Sequence, residues 1–257
     1  MITRSFVIAL ISIMTASCGY VAKLSRHGGT EFTVQISTAE ADLAGIVSKT
    51  EKIIENKANA IGLDVEVSSV PEFSDRLKVK YYGNQPLEPI RETLLTVYRL
   101  ELKKVANAVG IARPYSSKET AQADLKEGQE ILPVKKVLDS EPEAYLIVEK
   151  QAVINGEDVR NAAVIERWKD NFAVQFTLKP SAAVKFGDWT GRNIHSFLAI
   201  IINDEIQSYP IINGQIFDTG QIEGAFTKKA ADDIVVSLNA GYLPATMTII
   251  DEKQFDN

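Results

Sequence analysis

Few side chains in this sequence have the type and spacing that chemistry requires. The 257 residues include two histidines, His27 and His195, and one cysteine, Cys18, whereas a metal site needs a cluster of His, Cys or carboxylate ligands. The sequence contains no Gly-x-Ser-x-Gly, Walker or Gly-x-Gly-x-x-Gly motif. The acidic pair Asp232-Asp233 is interpreted as solvated charge on neighbouring faces of one helix. We therefore expect no enzyme activity, no metal and no cofactor.

Cys18 follows a segment with the pattern of an export signal. Arg4 supplies the positive start and residues 6–14 form a short apolar core, well below the roughly 20 residues of a spanning helix. The small-small-Cys ending resembles the lipobox of bacterial lipoproteins, which implies cleavage after residue 17 and acylation of Cys18. An ordinary secretory signal is the alternative. By resemblance to sorting rules of enteric bacteria, Gly19 favours the outer membrane.

The bulk composition limits the classes of partner. The chain is 45% apolar and 24% charged, the composition of a globular protein able to bury a core. A formal charge of −6 argues against nucleic acid, which needs a basic face, and gives no attraction to anionic lipid headgroups. Beyond the signal we expect no membrane span, and a single cysteine excludes an internal disulfide.

The first half of the chain predicts an α+β lobe. Apolar alternation and helical periodicity give a strand from Phe32, a helix behind a capping box at residues 37–40 and ended by Gly62, then two strands. A second helix over residues 87–95 and a strand over residues 98–102 complete the order. This is the βαββαβ, or ferredoxin-like, arrangement, with both helices on one face of an antiparallel sheet.

A second lobe follows a predicted connection. Residues 110–143 contain three of the nine prolines and several charges, so we expect little structure there. Strands are predicted from Tyr145, over residues 162–167 and over residues 173–178, and a helix over residues 182–194.

The stretch after Asn193 has the most specific pattern in the chain. An apolar run (residues 197–202) meets the polar break Asn203-Asp204, a short strand stops at Pro210, a helix covers residues 227–238, and Gly-Tyr-Leu-Pro-Ala precedes a last strand. This order resembles the end of the first periplasmic domain of SecD, a subunit of the bacterial protein-export machinery.

Two further segments extend the resemblance to SecD. Val153-Ile-Asn-Gly-Glu-Asp-Val159 is similar to the Leu-Thr-Gly-Glu-Asp-Leu of the SecD head. The helix around residues 53–63 is similar to the Ile-x-x-Arg-x-x-x-Leu-Gly helix of SecD, with Lys57 in place of the arginine.

The resemblance implies a base lobe with an inserted α+β head. The predicted divisions are a signal peptide (1–17), a tether (18–31), a ferredoxin-like base (32–112 plus 240–252) and a SecD-like head (113–239). In SecD this two-lobed domain holds emerging preproteins, and a membrane-embedded helix bundle drives it with protons. We expect no such bundle here, and therefore no proton-driven work by this chain alone.

The leading hypothesis is a lipid-anchored periplasmic module that binds unfolded or partner polypeptide and assists export or envelope assembly. The alternative is a structural or envelope-interaction lipoprotein with no export role. Residue types alone favour a core beneath the hairpin for the apolar residues near Pro210. The resemblance instead implies that Tyr209, Ile211 and Phe217 contact polypeptide, through exposed apolar surface or an open sheet edge. The oligomeric state is left open.

Overall fold

The computed structural model describes residues 28–83, 85–109, 112–138, 140–169, 171–243 and 245–256. Cys18, His27 and the predicted signal peptide lie outside these residues. The described helices are α1 (Leu43–Ala60), α2 (Leu87–Leu95), α3 (Lys118–Gln122), α4 (Pro180–Arg192) and α5 (Lys228–Ala240). The described strands are β1 (Gly29–Ser37), β2 (Asp64–Val70), β3 (Phe73–Tyr82), β4 (Leu100–Val109), β5 (Gln129–Val134), β6 (Ala144–Glu149), β7 (Ile154–Asn155), β8 (Val159–Trp168), β9 (Asn171–Leu178), β10 (Ser196–Ile202), β11 (Glu205–Ser208), β12 (Thr219–Phe226) and β13 (Thr246–Phe255).

The base is a four-stranded antiparallel sheet in the order β13-β1-β3-β2. Helices α1 and α2 pack together, and α1 packs on β2 and β3. Phe32, Val34, Leu77 and Val79 are fully buried between sheet and helices. The predicted α+β class is therefore confirmed.

The fourth strand of the base is not the one that the sequence suggests. Residues 98–102 were expected to complete the sheet, but β4 pairs with β10, β6 and β7 in a different sheet. The reason is packing, because Leu100 and Leu102 are buried in the core of the head. Strand β13 takes the fourth position instead, and its Phe255 lies opposite Gly29 at the start of β1. The predicted boundary between base and head at residue 112 stays a proposal. Because β4 belongs to the second sheet, a boundary drawn by sheets would lie before Leu100.

The face of the base sheet away from the helices carries a charge cluster. The Glu31 carboxylate lies within 3.1 Å of Lys253 Nζ, 3.3 Å of Lys78 Nζ and 3.6 Å of Lys80 Nζ. Burial alone would raise the pKa of Glu31, but hydrogen bonds and charge from Lys253 and Lys78 hold it below its usual value. The cluster joins β1, β3 and β13 side by side.

The central sheet of the head closes on itself. Strands β4, β10, β11, β5 and β6 pair in turn and return to β4, so that they form a five-stranded ring, and β7 pairs with β4 beside it. Residues 110–143 were expected to have little structure, and this is wrong: α3 and β5 lie there. Strand β5 contributes Leu132 to the apolar interior of the ring.

Strand β10 is buried on both faces. Leu198, Ile200 and Ile202 pack into one apolar core, whereas Ala199 and Ile201 pack into the interior of the ring. A strand with two buried faces has no polar alternation, and this accounts for its continuous apolar run.

A two-residue turn connects β10 to β11. Asn203 and Asp204 have φ angles of 50° and 64°, and Ile202 pairs with Glu205 across the turn, as in the type I′ hairpin that favours Asn and Asp. Arg99 fixes the turn: its N–H donates to Asn203 Oδ1 at 2.8 Å, and its guanidinium lies 2.6 Å from Asp204 Oδ2.

The three-stranded sheet β12-β9-β8 and helices α4 and α5 cover the other face of β10. Helix α5 packs against β8 and β9 and also contacts α1 of the base. Asn239 on α5 exchanges two hydrogen bonds with the backbone of Ala162, at 2.7 and 2.9 Å. Because Ala162 lies on β8, at the edge of the sheet, these bonds occupy backbone groups that would otherwise be exposed.

The start of α1 also differs from the predicted capping box at residues 37–40. The helix begins at Leu43, with Asp42 Oδ1 accepting a hydrogen bond from Gly45 N at 2.9 Å. Asp42 is as good a cap as Ser or Thr, and β1 extends to Ser37. At the other end of the helix Gly62 has φ 71°, which confirms the predicted left-handed ending.

Lys57 lies where the base helices meet α5. Its side chain is 1% exposed, and its ammonium donates to Thr96 O at 2.5 Å and to Leu94 O at 3.4 Å. These carbonyls belong to the end of α2, where backbone acceptors lack helical partners. Burial lowers the pKa of Lys57 to about 8, while the negative charge of Asp233 on α5 acts in the opposite direction.

The Lys57 ammonium makes stability depend on pH. The unfolded chain, with a lysine pKa near 10.5, binds this proton more tightly than the folded chain. The free energy of unfolding is therefore expected to rise as pH increases from 8 toward 10.5, and this gain is lost as pH falls through 8. Between pH 7 and pH 9.5 the expected increase in the free energy of unfolding is about 2 kcal/mol. Urea unfolding of wild type and Lys57→Met at the two pH values measures it. Parallel pH dependence in both proteins would contradict the assignment.

Candidate functional site

The segment after β11 is held against β10. Leu198 N donates to Pro210 O at 3.0 Å, and Ile212 N donates to Ser196 O at 2.9 Å. Residues 210–212 thus continue the pairing of β10 beyond the end of β11. These bonds occupy one edge of the stretch, and whether its other edge accepts a strand stays a prediction.

Thr190 fixes the next part of the segment to α4. The side chain is fully buried; its hydroxyl accepts a hydrogen bond from Ile216 N at 2.9 Å and lies 2.8 Å from Phe186 O, one turn back in the helix. Farther along, Leu178 N donates to Asp218 O at 2.7 Å. Both flanks of Phe217 are therefore fixed by hydrogen bonds.

Two glycines of α4 make room for this segment. A Cβ at Gly187 would lie 3.4 Å from Phe217 Cδ1, and a Cβ at Gly191 would lie 3.6 Å from Gln215 Cδ. Glycine lowers helix propensity, yet here its small size lets the chain approach the helix closely.

The structure separates the three predicted binding residues. Tyr209 packs at the margin of the ring interior with its ring 6.5 Å from that of Phe197, and Ile211 forms an isolated backbone bridge with Phe197. Phe217 instead lies beside Gly187 of α4. Tyr209 and Ile211 are half-buried, whereas Phe217 is 63% exposed.

An exposed apolar surface lies on α4, and we call it the α4 patch. It consists of Phe217 and of Val184, which is 66% exposed. Val184 stands one turn before Gly187, the residue next to the Phe217 ring, and residues three apart share a helix face. Sequence reasoning missed Val184, although an apolar side chain three residues after Ser181 and four before Asp188 interrupts the polar face of the helix.

A cleft of about 530 Å³ lies on the head between α4 and the loop after β6. Lys104, Lys150 and Lys185 line it, together with Glu149 and Trp189. The three lysines and one glutamate give the lining a formal charge of +2, and we call this site the lysine cleft. No sequence pattern indicates it, because its walls come from separate segments of the chain.

The acidic pair on α5 is only partly what the sequence suggests. Asp232 has a side chain that is 45% exposed, and it pairs with Lys228 at 2.6 Å. Asp233 is not solvated: its side chain is 11% exposed, and its carboxylate accepts from Lys229 Nζ at 2.7 Å and Thr93 Oγ1 at 3.1 Å. Hydrogen bonds to Asp233 and Glu92 raise the pKa of Lys229 above its usual range.

Another buried ion pair network lies in the ring. Lys103 Nζ is 2.8 Å from Glu130 Oε1 and 3.0 Å from Glu101 Oε2. Burial would lower the pKa of Lys103, but hydrogen bonds to Glu130 and Glu101 raise it overall. Lys103 is therefore a paired structural cation.

Within the described part of the chain, no cluster of His, Cys, Asp and Glu has the makings of a metal site. His195 is exposed, in a turn with φ 68°. The helices α1 to α5 include none long and apolar enough to cross a membrane.

Sequence comparisons relate the head to a known family. The model described as SecDF, P1 head subdomain, matches residues 129–245. The chain is 31% identical to protein translocase subunit SecD of Aquifex aeolicus over 209 residues, which cover 81% of this chain and 39% of that protein. It is 26% identical to SecD of Koribacter versatilis over 203 residues, 78% of this chain and 37% of that one. This chain thus spans about two fifths of the length of these relatives.

Solved structures share the fold. A crystal structure of SecDF in a super-membrane-facing form matches with a TM-score of 0.69 and 20% identity, over 90% of this chain and 31% of that chain. A structure of SecDF, a membrane component that enhances protein export, matches with a TM-score of 0.64 and 19% identity, over 86% of this chain and 98% of that chain.

The contact between Thr190 and Ile216 gives a test of how the α4 patch is held. Thr190→Val removes the acceptor and leaves the Ile216 N–H unpaired, so the free energy of unfolding should fall by about 1–3 kcal/mol. Amide exchange at Ile216 should accelerate. Thr190→Ser keeps the hydroxyl and serves as the control. Equal exchange rates at Ile216 in the two variants would show that the hydroxyl does not hold the loop.

Proposed function

We propose that this chain, whose residues 129–245 match the SecDF P1 head subdomain and which is similar to SecD over most of its length, binds extended polypeptide in the periplasm. The homology supports a module related to protein export. The observation that carries polypeptide binding is the α4 patch, a large aromatic side chain exposed on a rigid support.

The physical case rests on the cost of exposing Phe217. Leaving a phenylalanine in water forgoes about 1.5–3 kcal/mol of burial energy. Yet hydrogen bonds at Ile216 and Asp218 fix the backbone on both sides of it. Because the backbone around Phe217 is already fixed, a partner that covers this side chain need not order the backbone as well, which favours binding.

Tyr209 and Ile211 contribute a second apolar surface in this proposal. They lie with Phe197 on the ring-interior side of β10, whereas Ile212 is buried on the opposite side. A half-buried aromatic side chain such as that of Tyr209 can contact an apolar segment of a partner with its exposed part while its buried part stays packed in the protein. The two surfaces would engage separate parts of an extended chain.

Placement at the membrane is the second part of the proposal. The signal pattern before Cys18 supports a lipid anchor at that residue, and Gly19 supports the outer membrane. This anchor would hold the binding module at the periplasmic face of the outer membrane, where it can meet chains that have been exported, without adding a spanning segment. A structural or envelope-interaction lipoprotein with no export role remains the competing function.

Crosslinking separates the two functions. A photo-reactive residue at Phe217 or Tyr209 should capture nascent secreted chains in cells, whereas one at Lys52, exposed on α1, should capture few. Phe217→Ser should weaken binding of a reduced, permanently unfolded protein by about tenfold, the loss expected for one exposed aromatic contact. Capture of a single folded envelope protein, with no affinity for unfolded chains, would favour the competing function.

Cys18→Ser tests the anchor. Without the thiol no acyl chain can be attached, so the protein should move from the membrane fraction to the soluble periplasmic fraction. A Ser17→Ala variant keeps the small residue before the cysteine and should stay in the membrane fraction. Retention of Cys18→Ser in the membrane fraction would refute lipidation at this site.

A further inference from the structure

The lysine cleft concentrates positive charge on an acidic protein. The whole chain has a formal charge of −6, yet Lys104, Lys150 and Lys185 line one cleft with a single carboxylate, that of Glu149. Glu149 already accepts a hydrogen bond from Gln129 Nε2 at 3.2 Å. The formal charge of the lining is therefore opposite in sign to that of the whole chain.

Some basic residues of the head have a carboxylate partner, and the lysines of the cleft are among those that have none within the described part of the chain. Lys103, Arg167 and Lys228 form ion pairs with nearby carboxylates. Among the residues that the structure describes, Lys150 and Lys185 have no carboxylate within ion-pair distance. Since like charges repel, grouping unpaired lysines costs stability unless an anion binds between them.

Hydrogen bonds hold two of the residues that line the cleft, Lys104 and Trp189. Lys104 Nζ donates to Asn193 Oδ1 at 2.8 Å, and Asn193 Nδ2 donates to Trp189 O at 2.8 Å, at the end of α4. Asn193 is a neutral partner, so the positive charge of Lys104 is not cancelled. Lys185 stands one turn before Trp189, so both lie on the same face of α4.

We infer that the lysine cleft binds a carboxylate-bearing segment of an extended polypeptide. The inference rests on the proposed polypeptide-binding function and names the kind of segment that this cleft prefers. The ammonium groups of the lysines receive side-chain carboxylates, and the indole of Trp189 packs against an adjacent apolar side chain. A volume of about 530 Å³ is in the usual range for ligand sites.

Charge also argues for polypeptide over an anionic membrane surface. A lipid headgroup layer would bring many negative charges against a protein whose net charge is −6, so repulsion over the rest of the surface would oppose docking. A single flexible chain can place its carboxylates in the cleft and leave the acidic surface in water. Exposed charges of this kind should give binding that weakens with salt.

Tryptophan fluorescence can report the cleft directly. The chain has two tryptophans, Trp168 and Trp189, so Trp168→Phe leaves only the one in the cleft. This protein would be titrated with a synthetic peptide that intersperses Glu with Leu and Ser, and with a matched peptide that has Gln for every Glu. The Glu peptide should change the Trp189 signal saturably, and the Gln peptide should bind about tenfold more weakly.

Charge-matched variants complete the test. Lys150→Gln combined with Lys185→Gln should weaken the Glu peptide about tenfold, and raising salt should weaken it in wild type. Lys52→Gln combined with Lys118→Gln changes the net charge equally at exposed lysines elsewhere and should have no comparable effect.

Three results would overturn the inference: equal binding of the Glu and Gln peptides, equal effects of the two double variants, or saturable binding of phosphatidylglycerol vesicles without binding of the Glu peptide. If the Gln peptide binds as well as the Glu peptide and Phe217→Ser abolishes both, the acidic preference fails while the proposed function stands. If neither peptide nor an unfolded protein binds, both fail.

Discussion

Strand β10 must be covered on both faces, and the head is arranged to meet this requirement. The strands β4, β6, β5 and β11 of the ring cover one face of β10. The β12-β9-β8 sheet, with α4 and α5, covers the other face. Residues on either side of β10 are thereby placed at the head surface. The turn before β10 connects it to α4, which contains Trp189. The hairpin after β10 leads to the segment that presents Tyr209 and Phe217. Both candidate binding surfaces thus depend on the burial of one strand.

Local patterns predict much of the fold because they report burial along a single segment. The continuous apolar run of β10, the periodicity of α1 and the Asn203-Asp204 turn each follow from residues that are neighbours in sequence. What local patterns cannot give is the partner of a strand. Residues 98–102 alternate as well as any strand of the base, and only the packing of Leu100 and Leu102 in the head decides their sheet.

The two candidate binding sites also differ in how far the sequence could predict them. Phe217 could be proposed only through the resemblance to SecD, because residue types alone favour a buried position for the apolar residues near Pro210. The lysine cleft could not, since Lys104, Lys150 and Lys185 are distant along the chain and each resembles an ordinary surface lysine. Lys57 was recognised only by position. Its burial beside the end of α2 requires the three-dimensional junction with α5.

The pairing of β1 with β13 has a mechanical consequence. Gly29 and Phe255 lie opposite each other, so the polypeptide enters and leaves the fold at one place on its surface. Any segment attached at either end therefore applies its force at the same corner of the base sheet. Tension applied between these two ends first loads the hydrogen bonds between β1 and the edge strand β13. Because Gly29 and Phe255 lie at the same end of this antiparallel pair, the bonds open one after another before the force reaches either core.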